Sequence, residues 1–409
     1  MITMRRQLLG LGFVAASSLF ALHAAQAMSG PTAITIDGGP LGSLALSGGV
    51  DGYGYYLGET NSNGNMPGTN KDIGANVANG LVELQKTSGV LQFTVEVGSN
   101  GGAVTLGTAP SQTTISNFST GPLYAGYVTV APTGSPFTVS VGQMGSLEGY
   151  ESGVDWNNSN QLTTGIFYVE NAQDRGVQLN YSQGPVSASV QLGDGYDTGV
   201  FNFLQALASY SYNANNSLSV FYAGNLGRTG LNAKTYSGAC GYGTSNNVNC
   251  FGRVGSYGSN FDNSQMIGAY YSYTNGNLNV VPEVQYQIAK ADAQLNQTKA
   301  TSNFGAAVFG DYSFANTPYS LGGWVEYFTS HTSSADSAKG FSWFIAPDAE
   351  AVGFSATPTW QYKDLFARAD VGYLYLLNRT QANGTKTGFG TNANDRGIFQ
   401  STLEAGLLF

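Results

Sequence analysis

Charge is scarce in this chain. Asp, Glu, Lys and Arg together make up 10% of 409 residues, against roughly 25% in ordinary soluble domains. Basic residues are the scarcer kind, 16 against 25 acidic, and phosphate recognition needs clustered Lys and Arg, so nucleic acid is not an expected partner. There are two cysteines and two histidines, and no His or Cys pair has the spacing of a metal site, so neither a metal nor another cofactor is expected. His331 stands among Thr and Ser residues with no partner constellation around it, which reads as a solvated loop residue and not as a catalytic base. None of the Gly-rich stretches leads into the Lys and Ser or Thr of a phosphate loop. Also missing, beyond the N-terminus, is any apolar run of membrane-helix length, although aromatics reach 12% and the mean hydropathy is -0.11. The apolar residues are spread thinly.

The one bunched stretch is N-terminal. Arg5 and Arg6 precede an apolar segment from Leu8 to Leu22, followed by Ala25, Gln26 and Ala27, the layout of a secretory signal peptide cleaved after Ala27. The alternative, a membrane anchor, is disfavoured by Ser17, Ser18 and the A-x-A site. The Arg pair faintly suggests twin-arginine export, which carries folded cargo, but a membrane barrel must cross unfolded, so the general route is expected. Removing residues 1–27 takes two Arg from the 16, leaving 14 basic against 25 acidic residues and a net charge of −11. Cys240 and Cys250 lie close together in a Gly/Asn/Ser-rich stretch of an exported chain, which predicts a loop disulfide.

At the other end, Phe409, Leu407, Ala405, Leu403, Ser401 and Phe399 alternate with Gly406, Glu404, Thr402 and Gln400. Period-two alternation makes this a strand with one apolar face. A strand of this kind ending at a terminal Phe resembles the assembly signal of Gram-negative outer-membrane proteins, carried here by Phe409, Leu407 and Leu403. The same rhythm recurs at Leu91–Val97, Phe137–Val141, Val177–Tyr181 and Val186–Leu192, with short turns near Thr87–Gly89, Gln183–Pro185, Asn213–Asn216, Asn275–Asn277, Ala315–Pro318 and Tyr362–Asp364. Long polar stretches near 58–76, 99–122, 193–202, 226–263, 290–302, 330–349 and 379–396 separate the pairs. The expected fold is all-β, a transmembrane antiparallel β-barrel of about 16 strands occupying residues 28–409, with short periplasmic turns and long outer loops.

Parity bears on one ambiguous region, for which an ordinary wall strand, with another strand miscounted, stays the alternative. If Leu162–Val169 were a wall strand, every later short turn would swap sides and the long loop with both cysteines would face the periplasm. Residues 144–174 are therefore expected to form one excursion folded into the lumen. Its charges, Glu148, Glu151, Asp155, Glu170 and Asp174, together with Arg175 just beyond it, become candidate constriction residues. The alternation turns Glu96, Glu283, Glu326, Arg368, Asp370 and Glu404 inward as lumen-wall residues. So many carboxylates favour cations, and they can equally pair with Arg175 and Arg368 to hold the loop. The Tyr and Phe near strand ends predict interfacial girdles.

Gly142, Gln143, Gly145, then Gly149, Tyr150, Glu151, an Asn-rich stretch and Arg175 leading into a strand resemble the constriction-loop region of general porins. Gly149–Glu151 with Gly176 and Val177, and then Asp194–Asp197, also resemble the OmpL-like β-barrel porin family, with departures at Thr163, Thr164, Asn171 and Asp174. The resemblance implies passive diffusion of small hydrophilic solutes or ions across the outer membrane and no enzymatic activity. It implies outer-membrane lipid, lipopolysaccharide and the barrel assembly machinery as partners, and it admits a homotrimer. Two other readings stay open at this point, a structural or adhesive barrel without an open pore and an outer-membrane hydrolase.

Overall fold

A computed structural model describes residues 28, 30–60, 72–110, 123–196, 198–229, 259–293, 296–337, 343–390 and 393–409. The expected signal peptide of residues 1–27 and the Cys240–Cys250 pair lie outside the described residues.

Sixteen strands form the wall. In chain order they are β1 (Ser43–Leu57), β2 (Ile73–Lys86), β3 (Leu91–Asn100), β4 (Leu123–Val130), β5 (Phe137–Gly145), β6 (Gln173–Gln183), β7 (Val186–Gly193), β8 (Phe203–Asn213), β9 (Asn216–Asn225), β10 (Ser264–Asn275), β11 (Leu278–Ala289), β12 (Thr301–Ser313), β13 (Tyr319–His331), β14 (Glu350–Tyr362), β15 (Leu365–Asn378) and β16 (Gly397–Leu408). Each pairs antiparallel with the next, and β16 returns to β1 in the register Leu403↔Gly54, so the sheet closes and leaves no edge. A short strand, Ile34–Asp37, pairs with the first residues of β1, beside the point where β16 ends. Backbone bonds in both directions between Gly48 and Phe409 finish the seam.

The polarity is inverted relative to a soluble protein. Along β14, Val352 and Phe354 point outward while Ser355, Thr357 and Thr359 are buried, as lipid outside and a polar lumen inside require. On β16, Phe399, Leu403 and Leu407 are exposed and Gln400, Thr402 and Glu404 buried, so the alternation read from the C-terminus is the alternation of the wall. Short turns join strands on the side where the chain enters β1 and leaves β16. Gly184 and Gly276 take φ values of 60° and 61° in two of them, the left-handed conformation that a tight hairpin needs and that a Cβ penalises. Long connections join the strands at the other rim. Exposed aromatics gather at both levels: Tyr210–Tyr212 and Tyr312–Phe314 near the short turns, Tyr56–Phe399 and Phe354–Tyr373 toward the far rim.

Residues 146–172 fold into the lumen. Leu162 and Thr163 pair in parallel with Val104 and Thr105 of the 101–122 connection, and Gly165–Tyr168 form a single helical turn capped by the Thr164 hydroxyl. Leu162–Val169 is therefore not part of the wall.

Candidate functional site

A chain segment that leaves the rim and enters a barrel carries backbone groups into a place where bulk water cannot satisfy all of them. The wall supplies the partners. Asp370 on β15 accepts from Leu162 N at 2.9 Å, and Glu326 on β13 from Gly165 N at 2.7 Å. Trp324 Nε1 donates to Leu162 O and Gln285 Nε2 to Ile166 O, both at 2.7 Å. On β8, Gln205 Oε1 accepts from Leu147 N at 2.8 Å. The loop also braces itself, Glu151 accepting from Thr164 N and Glu148 from Asn171 N at 2.9 Å. Glycines make the close approach feasible. A Cβ at Gly305 would collide with Ile166, at Gly322 with Ser159, and at Gly372 with Leu106 and Leu162.

The tip of the loop is tied by charge. Asp155, fully buried, meets Arg368 Nη2 at 3.1 Å, and Arg368 Nε meets Glu404 at 2.7 Å. Arg368 Nη1 donates to Asn158 O at 2.9 Å, and Asn79 holds Asp51 and Asp155. Asp51, Asp155 and Glu404 each bring a carboxylate oxygen within 4.8 Å of the others, so three acids crowd together at the seam between β1 and β16, and Arg368 pairs with two of them. Arg175 pairs with Asp194 at 2.5 Å, and Asp174 accepts from Gln205 Nε2 and Asn171 Nδ2. Burial pushes Glu148 up to about 8, against the Asn171 N–H, and lifts Glu151 and Glu170 well above the ordinary carboxylate range, Glu170 also through its neighbours Glu283, Glu148 and Glu151.

Of the residues expected at the constriction, Glu148, Glu151, Asp155 and Glu170 lie on the loop, while Asp174 and Arg175 begin β6. The six expected wall residues, Glu96, Glu283, Glu326, Arg368, Asp370 and Glu404, lie on lumen-facing positions of β3, β11, β13, β15 and β16. Glu326, Arg368 and Asp370 hold the loop directly, and Glu283 faces the backbone N–H of Tyr150. Apolar side chains fill the space between the loop and this half of the wall, with Leu106, Leu162, Ile166, Phe344 and Leu374 each at most 1% exposed.

The lumen is thus divided. The loop is fastened mainly along the β11–β16 side, and the remaining space lies chiefly against β1–β6 as a cavity of about 620 Å³. Glu83, Glu96, Gln85, Thr94, Gln178 and Asn180 contribute to its lining, with Glu148, Glu151 and Glu170 across from them on the loop or its flank. Glu83 was not among the residues expected from sequence. It faces Glu96 directly in the β2–β3 register, a place that counting outward from the turn near Thr87–Gly89 would have found.

The sequence matches the model of the family described as "Putative beta-barrel porin-2, OmpL-like" over residues 43–409. No curated protein matches it. Among solved structures, the outer membrane channel DcaP of Acinetobacter baumannii is similar at a TM-score of 0.56 and 13% identity, with 90% of this chain and 97% of that one covered. The outer-membrane protein OmpT of Vibrio cholerae is similar at a TM-score of 0.52 and 9% identity, covering 90% of this chain and 98% of that one. At such identities the likeness is one of fold.

Proposed function

Because the chain belongs to the OmpL-like β-barrel porin family, we propose that it is a passive diffusion channel for small hydrophilic solutes in the bacterial outer membrane, with a preference for cations. The observation that carries this reading is the divided lumen: a pinned loop leaves a space lined by both polar and apolar side chains, and the ionisable groups in its lining are acidic. Carboxylates at a constriction attract cations and raise their local concentration. Glu148 and Glu151, which line this space, are the loop residues to which this preference is assigned, while Asp155, expected from sequence to share it, is spent on Arg368; export by a cleaved signal peptide and insertion by the barrel assembly machinery complete the proposal.

The test is the conductance and zero-current potential of the purified full chain in a planar bilayer under a KCl gradient. Stepwise conductance with a potential on the cation side is expected. At pH 9, replacing Glu148 and Glu151 by Gln is expected to move the potential toward zero while conductance changes little, since volume is conserved and Asp155, the partner of Arg368, is left in place. A folded protein that inserts without conducting would favour a structural barrel, a reading that the apolar filling around Leu106, Leu162 and Phe344 otherwise leaves in contention.

A further inference from the structure

We propose that the N-terminal segment, residues 28–33, is a second constriction, which sets the size limit for solutes at the short-turn end of the lumen. This rests on reading the lumen as a conducting path. The segment is rooted in the short strand Ile34–Asp37, which pairs with the start of β1 from Ile34↔Leu46 to Asp37↔Ser43. The turn between them is fixed by Gly38 N donating to Gly42 O at 2.8 Å and Gly39 N to Asp37 Oδ1 at 2.9 Å. On the same edge of β1, just past Leu46, Gly48 exchanges backbone bonds with Phe409 and Gly49 pairs with Leu408. The place in the wall beyond Ile34 is thus already taken by the end of β16, so the chain that precedes Ile34 has to leave the sheet. Pro31, with no N–H to give to a ladder, suits that departure.

The segment leaves inward. Met28, Gly30 and Pro31 line the lumen cavity beside Gly48 and Phe409. Thr87, from the turn between β2 and β3, lines it too, so the cavity extends to the short-turn rim. The inserted loop comes down to the same place: Trp156 and Asn157 line the cavity, and a Cβ at Gly49 would press on the Trp156 ring at 3.1 Å. Two segments far apart in sequence therefore border the cavity where it nears the rim. They differ in how they are held. The loop is tied by Arg368 and by backbone bonds to the wall, whereas no hydrogen bond among the described residues engages Met28, Gly30 or Pro31. Removing the segment accordingly takes nothing from the wall. No side chain from Met28 to Ala33 carries charge, so it narrows the path by volume, and the width of a pore decides which solutes pass.

Gly30 gives the test its handle. A Cβ there meets nothing within 4 Å, so a side chain can be added without displacing a neighbour. The experiment uses the exported, folded chain in planar bilayers, as Gly30→Cys with Cys240→Ser and Cys250→Ser. A bulky methanethiosulfonate reagent applied from the short-turn side is expected to remove most of the potassium current, and dithiothreitol to restore it. Ala214→Cys, at an exposed position in a short turn on the same rim, is expected to take the same reagent with no change in current. Deleting residues 28–33 is expected to raise the conductance and to let larger neutral sugars through in liposome swelling, and the Gly30→Cys result stands in for it if the deletion impairs export. A fully labelled Gly30→Cys channel that carries the unlabelled current overturns the second constriction while leaving the channel standing. Absence of potassium conductance in the wild type overturns both.

Discussion

Arg368 is held on three sides, by Asp155, by Glu404 and by the carbonyl of Asn158. Removing one partner of a buried charge network leaves the others uncompensated, which costs about 3–5 kcal/mol. Arg368→Gln is therefore expected to lower the unfolding midpoint in detergent and to make the open-channel current noisier, because the loop tip loses its tether. Unchanged noise and stability would show that the backbone bonds to Asp370 and Glu326 hold the loop alone. Glu148 gives the pH dependence its sign. In the folded chain it keeps its proton up to about 8, against 4.5 for an ordinary Glu, so folding takes up a proton between those values. Its contribution favours the folded state below 4.5 and is lost as pH rises toward 8. Ionisation over the same range adds negative charge to the lumen. Cation preference is thus expected to grow from pH 6 to pH 9, read as a rising zero-current potential, and a Glu148→Gln variant is expected to flatten that rise.

At the scale of the element, the loop and its wall are fitted to each other through glycine. Gly305 on β12 leaves the volume that Ile166 occupies, and a branched side chain there overpacks the contact. Gly305→Val is expected to displace the one-turn helix and change the single-channel conductance, with strand content by circular dichroism unaltered. The strands and the excursion were legible in the sequence because a wall exposed to lipid on one face and to water on the other writes a period of two, and because an even strand count left no place for Leu162–Val169. Other parts carried no such signal. The inward turn of residues 101–110 pairs only at Val104 and Thr105, too short to show a period, and the burial of Phe344 against Tyr168 and Phe328 joins distant loops. Glu83 escaped notice because the register of β2 against β1 shifts in mid-strand, between Val50 and Gly52, opposite Val77 and Gly80, so no single alternation runs through β2. The acids that sequence placed in the lumen are there, but which of them grip the loop and which face open space depends on where the loop lies, and alternation has no information on that.

For the whole molecule, closure depends on the last residues. Leu407 pairs with Leu365 on one side and Val50 on the other, and Phe409 exchanges backbone bonds with Gly48. Deleting Phe409 removes two of the bonds that complete the seam as well as the terminal aromatic. Slower insertion and a weaker heat-modifiable band on unboiled gels are expected, and normal folding at normal levels would reject the role assigned to this terminus. The wall is also of uneven height. β1 and β15 have 15 and 14 residues, while β4 and β7 have 8 each. Eight residues at about 3.4 Å each, tilted by about 40°, rise roughly 21 Å, short of the apolar band of about 25 Å typical of such barrels. The wall beside the open space is therefore shallow where β4 and the nine-residue β5 form it. Hydrocarbon beside it is expected to thin, or the barrel to lean, until the mismatch is shared between the two. The position of the channel mouth relative to the headgroups then becomes a property of the bilayer as much as of the protein, and acyl-chain length a variable that tunes its conductance.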